Sequence, residues 1–135
     1  MTRQLRIEYE GAIYHVLSRG NSQDRIFEEE KDYLLFLETL KESAETHGVI
    51  IICYVLMPNH YHFIIETPKA NLSRFMKHFN ITYTVRFNTN HRRSGHLFQG
   101  RYKSIIVEKD PYLLALSTIS IPGQHPSKSY KNKVL

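Results

Sequence analysis

Two short apolar runs joined by a tight turn constrain this chain more than any other feature. Val49 to Leu56 is continuously apolar and short, which fits a buried strand. Met57-Pro58-Asn59 supplies a turn, and His60 to Glu66 returns as a second strand antiparallel to the first. Side chains alternate along a strand, so residues two apart share a face. His60 and His62 therefore project to one side of the hairpin, while Tyr61, Phe63 and Ile65 project to the other.

The segments around this hairpin read as an alternation of strands and helices. Gly11 to Ser18 is a first strand rich in Ile, Tyr and Val, ended by Arg19-Gly20-Asn21. Glu28, Glu29 and Glu30 open a helix near its positive dipole end. Leu34, Leu37, Leu40 and Ala44 recur in it at helical spacing, and Gly48 stops it. After the hairpin, Asn71 is expected to cap a second helix with Leu72, Phe75, Met76, Phe79, Tyr83 and Phe87 along one face. Arg74, Lys77, His78 and Arg86 form its polar side. Asn88 to Gly95 is a basic loop, Ser104 to Val107 a last strand, and Asp110-Pro111 the start of a third helix.

The order β-α-β-β-α-β-α implies an α+β fold. Its simplest form is a four-stranded antiparallel sheet with helices packed on it, ferredoxin-like in character. Residues 1–121 are expected to form one domain, and residues 122–135 a polar, basic, disordered tail.

Charge becomes informative when followed along the chain. Residues 1–66 hold eleven acids against six Lys and Arg, whereas residues 67–107 hold eight Lys and Arg and no acid. A solvated surface mixes its signs, so such a stretch points to an anionic partner. Phe75, Phe79, Tyr83, Phe87, Phe98 and Tyr102 are interleaved with these bases. Cations for phosphates and rings for nucleobases are the equipment of a single-strand nucleic-acid binder. The competing reading makes the rings core and the bases solubilising. Met1 to Arg6 carries no apolar leader, and no run approaches the roughly 20 apolar residues of a membrane span. The single cysteine, Cys53, permits no intrachain disulfide and is expected to be a small core residue. Together these features lead us to expect a soluble, cytoplasmic protein with no membrane partner.

Two imidazoles side by side on a strand can hold one divalent ion, although a lone His-x-His is a weak signal. The surrounding run strengthens it. Cys53-Tyr54-Val55-Leu56-Met57-Pro58-Asn59-His60-Tyr61-His62-Phe63-Ile64-Ile65-Glu66 resembles the HUH signature of single-tyrosine transposases, above all the REP-associated tyrosine transposase (IS200-like) group. Tyr14 to Asn21 resembles that family's first strand and exit, and Asn71-Leu72-Ser73 the start of its long helix. Gly95-His96-Leu97-Phe98-Gln99-Gly100-Arg101-Tyr102-Lys103-Ser104 resembles its approach to strand four, followed by matches as far as residue 117.

The resemblance implies an HUH endonuclease fold acting on single-stranded DNA hairpins at the ends of a mobile element. It implies Mg²⁺ or Mn²⁺ held by His60 and His62 with a third side chain from the C-terminal helix. It implies cleavage by a tyrosine, through a 5′-phosphotyrosine and a free 3′-hydroxyl, and later rejoining. Candidate DNA contacts are Arg19, Arg74, Lys77, Arg92, Arg93, Phe98, Gln99, Arg101 and Lys103. His15 is open to two readings, a residue beside the site or a satisfied structural histidine.

The chain departs from the family after Ser117. Ile119 stands where the resemblance expects the catalytic tyrosine, and Gly123 where it expects the third ligand. Tyr112 and Tyr130 are the fallback nucleophiles; Tyr112 reads better as structural, and nothing preorganises Tyr130. A similarity that ends abruptly inside an expected helix is what a frameshift or truncation would leave. The sequence therefore carries a second reading, a hairpin-DNA binder that keeps the fold without cleavage. An RNA-binding module using sheet-face aromatics and a zinc hydrolase are weaker alternatives. Monomer and homodimer both stay open.

Overall fold

The computed structural model describes residues 8–107, in which six regular elements and one short 3₁₀ turn follow one another. They are β1 (Ala12–Arg19), α1 (Glu30–His47), β2 (Ile50–Met57), β3 (His60–Thr67), α2 (Leu72–Asn90) and β4 (Lys103–Val107), with the 3₁₀ turn at Asn21–Gln23. The expected third helix, the domain boundary at residue 121, Tyr112, Ile119, Gly123 and Tyr130 all lie outside the described residues.

The four strands form one antiparallel sheet in the order β2-β3-β1-β4, so β1 and β3 are its central strands. The hairpin expected from the sequence is β2–β3, closed by Pro58-Asn59. Register pairs Val55 with His62, Leu56 with Tyr61 and Met57 with His60. A bulge between Ile51 and Cys53 shifts the ladder, which puts Ile51, Tyr54 and Leu56 on the same face as Tyr61, Phe63 and Ile65.

That face carries the main core. Ala12, Tyr14 and Val16 of β1 join it, and both helices lie against it through Phe36, Leu40, Phe75, Phe79, Tyr83 and Phe87. The aromatic rings interlock edge to face: Phe36 stands 4.8 Å from Phe79 at 85° and 5.1 Å from Tyr83 at 76°. The opposite face buries a smaller cluster of Ile13, Cys53, Ile64 and Val107. Cys53 is thus a core residue, as expected.

Two expectations need correction. The buried face of α1 is Tyr33, Phe36, Leu40 and Ala44; Leu34 is 56% exposed and Leu37 only half-buried. Five consecutive apolar residues, Tyr33 to Leu37, leave the helical phase undecided locally, and the rings settle it by packing on Phe27, Phe79 and Tyr83. Asn71 stands at the N-terminal boundary of α2 but makes no side-chain cap; its Nδ2 donates to the carbonyl of His47 at 2.9 Å. Arg86 stands on the polar side of α2, as expected, and is paired there. It donates to Thr39 Oγ1 and pairs with Glu42, tying α2 to α1.

The exit of β1 is fixed tightly because it frames the site. Gly20 donates to the carbonyl of Asn59 at 2.9 Å and forms an isolated bridge with Phe98. A Cβ at Gly20 would lie 2.0 Å from the carbonyl oxygen of Asp24, so only glycine fits there. Asn21 N donates to Leu97 O and Gln99 N to Arg19 O, both at 2.8 Å. These bonds lash residues 97–99 to the end of β1 and the turn after it.

Candidate functional site

His60 and His62 stand on the sheet face away from the helices, as strand alternation requires. Their ring centres are 5.1 Å apart, with the ring planes at 84°. Val55 and Met57 flank them from β2, Leu17 and Arg19 from β1. Three apolar neighbours and partial burial disfavour charge on the imidazoles. Burial pushes the pKa of His60 down, with the Arg19 cation adding to the effect. His62 is lowered to about 4 by burial first, then by His15, His60 and Arg19. Both rings are therefore neutral at neutral pH, the form in which imidazole ligates metal.

Each ring has one nitrogen engaged. The Nδ1–H of His60 donates to Asn59 Oδ1 at 2.8 Å, because an amide oxygen can only accept. Nε2 of His60 is then left with its lone pair. Nδ1 of His62 lies 3.1 Å from Nε2 of His15. The sequence leaves the role of His15 open and marks Asn59 only as a turn residue. A polar side chain immediately before a candidate ligand was the available signal for Asn59. For His15 the signal needed the strand order.

The donor set fits a divalent ion in part. Two imidazoles on one octahedral ion, at about 2.1 Å and an angle of roughly 90°, hold their ring centres about 4.5 to 5 Å apart, near the 5.1 Å found. Among the described residues no group of three His, Cys, Asp or Glu side chains is arranged to hold an ion. No third side chain of these types among the described residues joins His60 and His62 in such a group.

Beside the pair lies a cleft of about 380 Å³ lined by Leu17, Ser18, Arg19, Gln99, Gly100, Arg101 and Lys103. Arg19 pairs across the ladder with His60, and Lys103 faces the same side through its pairing with Leu17. Four of the candidate DNA contacts, Arg19, Gln99, Arg101 and Lys103, are brought together here. Arg74 and Lys77 are not. They are exposed on α2, in the helix layer, so the sheet separates them from the histidines. Arg92 and Arg93 belong to the loop after α2. The Arg93 guanidinium sits 5.7 Å from the centre of the Phe87 ring. Phe98 packs on Tyr61 at 5.7 Å and Tyr83 at 6.3 Å, so its ring faces the core.

No tyrosine of the described residues faces the histidine pair. Tyr14, Tyr54, Tyr61 and Tyr83 belong to the core between sheet and helices, Tyr33 to α1, and Tyr102 packs against that core. Tyr61 is fully buried, donates to Asn80 Oδ1 at 3.1 Å, and burial pushes its hydroxyl far above the ordinary phenol pKa. Tyr9 precedes β1 at the far end of the sheet, where Ala12 pairs with Thr67. The strand aromatics all point to the helices as well, which removes the stacking platform an RNA-binding sheet of this shape would need.

Residues 8–118 match the family described as IS200-like transposase. Among solved structures, the chain resembles a REP-associated tyrosine transposase bound to a REP hairpin, with a TM-score of 0.69 and 14% identity over 87% of this chain and 69% of that one. It also resembles a candidate transposase from Deinococcus radiodurans R1, with a TM-score of 0.61 and 16% identity over 85% of this chain and 93% of that one. At such identities the two structures speak for the fold. No curated protein sequence matches the chain. Among the described residues, no helix is long and apolar enough to cross a membrane.

Proposed function

The chain belongs to the IS200-like transposase family, and from that premise we propose that it works on single-stranded DNA hairpins at the ends of a mobile element. One observation carries this reading: two neutral imidazoles, each with Nδ1 engaged, stand beside a cleft lined by Arg19, Arg101 and Lys103. The hairpin bound to the REP-associated neighbour supports the choice of DNA partner.

In this reading His60 and His62 hold Mg²⁺ or Mn²⁺ through their Nε2 atoms. When bound, the ion supplies Lewis-acid polarisation of a non-bridging phosphate oxygen. Arg19, Arg101 and Lys103 neutralise the phosphates that flank the scissile one, and Gln99 offers a hydrogen-bonding group to the same strand. The low pKa of His62 keeps a proton from competing for its ligand atom. Cleavage forms a bond between tyrosine Oη and phosphorus and breaks the bond from phosphorus to O3′. The phenol proton is lost to solvent, and the departing 3′-oxygen takes one up. Rejoining is the same exchange run with a 3′-hydroxyl as nucleophile. Residues 1–121 are the DNA-acting unit and 122–135 a tail, working in the cytoplasm.

A second reading has its own support: a hairpin binder without cleavage. Ile119 occupies the expected position of the tyrosine, and the described tyrosines face elsewhere. One experiment separates the two. The full chain is mixed with Mn²⁺ and a labelled single-stranded hairpin from the element's ends, then run on a denaturing gel. A covalent adduct mapping to Tyr112 or Tyr130 establishes cleavage. Metal-dependent binding with no adduct establishes the binder. No binding to hairpin DNA overturns both.

A further inference from the structure

β1 and β3 are the two central strands, and their register sets Leu17 opposite His62 and Ile64 opposite His15. His15 is thus the diagonal neighbour of His62 on the same open face. The ring centres lie 5.2 Å apart with the planes at 37°, and Nε2 of His15 is 3.1 Å from Nδ1 of His62. Two facing imidazole nitrogens at hydrogen-bond distance share one proton, which leaves two arrangements. Either His62 donates from Nδ1 and its Nε2 is bare, or His15 donates and His62 carries its proton on Nε2.

We infer that His15 is a positioning residue for the metal site: its Nε2 accepts the Nδ1 proton of His62, and His62 thereby presents a bare Nε2 to the ion. The inference rests on the reading of His60 and His62 as ligands. Nδ1 and Nε2 of one ring point away from each other, so a group held on Nδ1 of His62 is not itself on an ion at Nε2. Asn59 does the equivalent for His60, with its Oδ1 on Nδ1 at 2.8 Å. The pair is therefore built symmetrically: each ligand has an acceptor behind it, which fixes the tautomer and the ring plane. The two acceptors differ in kind. The Asn59 oxygen can only accept, whereas His15 can turn either way, so binding of the ion selects between its two states. His15 is half-buried and lies outside both apolar clusters, so its replacement spares the core.

Mn²⁺ is titrated calorimetrically into the full chain and into His15→Leu, His15→Gln and His62→Ala, with melting in chelator as the folding control. The metal-free His62 tautomer is read by ¹⁵N NMR. Leu removes the acceptor, and the expected loss of affinity is about 10–100-fold; Gln restores an acceptor oxygen and should return to within about 3-fold of the parent. The His62 Nδ1–H tautomer should fall in His15→Leu and recover in His15→Gln. A His15→Leu protein that binds Mn²⁺ as tightly as the parent overturns the role of His15 while leaving the site intact. Gln as weak as Leu reduces His15 to packing and overturns it too. Binding unchanged in His62→Ala means that the metal reading itself has failed.

Discussion

Nε2 of His91, just beyond the end of α2, lies 2.9 Å from both carboxylate oxygens of Asp32 in the first turn of α1. The same carboxylate accepts the backbone N–H of Glu28 and Glu29 at 2.8 and 3.1 Å and is almost wholly buried. Nδ1 of His91 faces Glu28 at 3.1 Å, so the ring bridges two acids. One aspartate thus caps α1 and fastens the loop that leads from α2 to the basic cleft.

Asp32→Ala should be among the more destabilising single changes outside the aromatic core. It removes a helix cap and leaves two backbone donors and a partly buried imidazole without this acceptor, a loss of about 2–4 kcal/mol. Urea unfolding of the parent and variant at pH 7 measures it. A cost below about 0.5 kcal/mol would show that water replaces the carboxylate freely.

Acid should weaken the metal-free fold through the site. His15, His60 and His62 all have pKa values lowered in the folded chain, His62 to about 4. The unfolded chain therefore takes up protons first as pH falls. Stability from this source is complete above the ordinary histidine value of about 6.5 and is lost progressively toward pH 4. The gap in urea midpoint between pH 7 and pH 4.5 should narrow in His62→Gln. An unchanged gap would mean that acid acts elsewhere.

The sequence showed the hairpin and the histidine pair because strand alternation is a local property, written in six consecutive residues. The order of elements from β1 to β4 and the cap at Gly48 were legible for the same reason. Contacts between distant segments were not. His15 meets His62 across 47 residues and His91 meets Asp32 across 59, and both depend on which strands and helices become neighbours. The basic stretch was legible as charge but not as a surface. Acid-free sequence does not specify a face, and folding divides its cations between the helix layer, where Arg74 and Lys77 stand, and the cleft.

Phe98, read from sequence as a DNA contact, should act mainly through stability. Its half-buried ring touches Tyr61 and Tyr83, and the backbone of its neighbours is bonded to β1. Phe98→Ala should cost about 2–3 kcal/mol. Phe98→Leu, which keeps most of the apolar volume, should recover most of that. A stable Phe98→Ala with weakened DNA binding would move the ring from the core to the strand.

Salt titration separates the two basic surfaces. Each phosphate neutralised on a single strand contributes about 0.7 to the slope of log affinity against log salt. Arg19→Ala removes a cation that faces His60 across the ladder, so the slope should fall by about that amount. Lys103→Ala, on the neighbouring strand and the same face, should do likewise. Arg74→Ala and Lys77→Ala lie behind the sheet and should leave the slope where it was. Fluorescence anisotropy with a single-stranded hairpin at several salt concentrations gives all four values. If instead the α2 variants flatten the slope and the cleft variants do not, the strand runs over the helices. The histidine face would then have lost its claim to the phosphodiester.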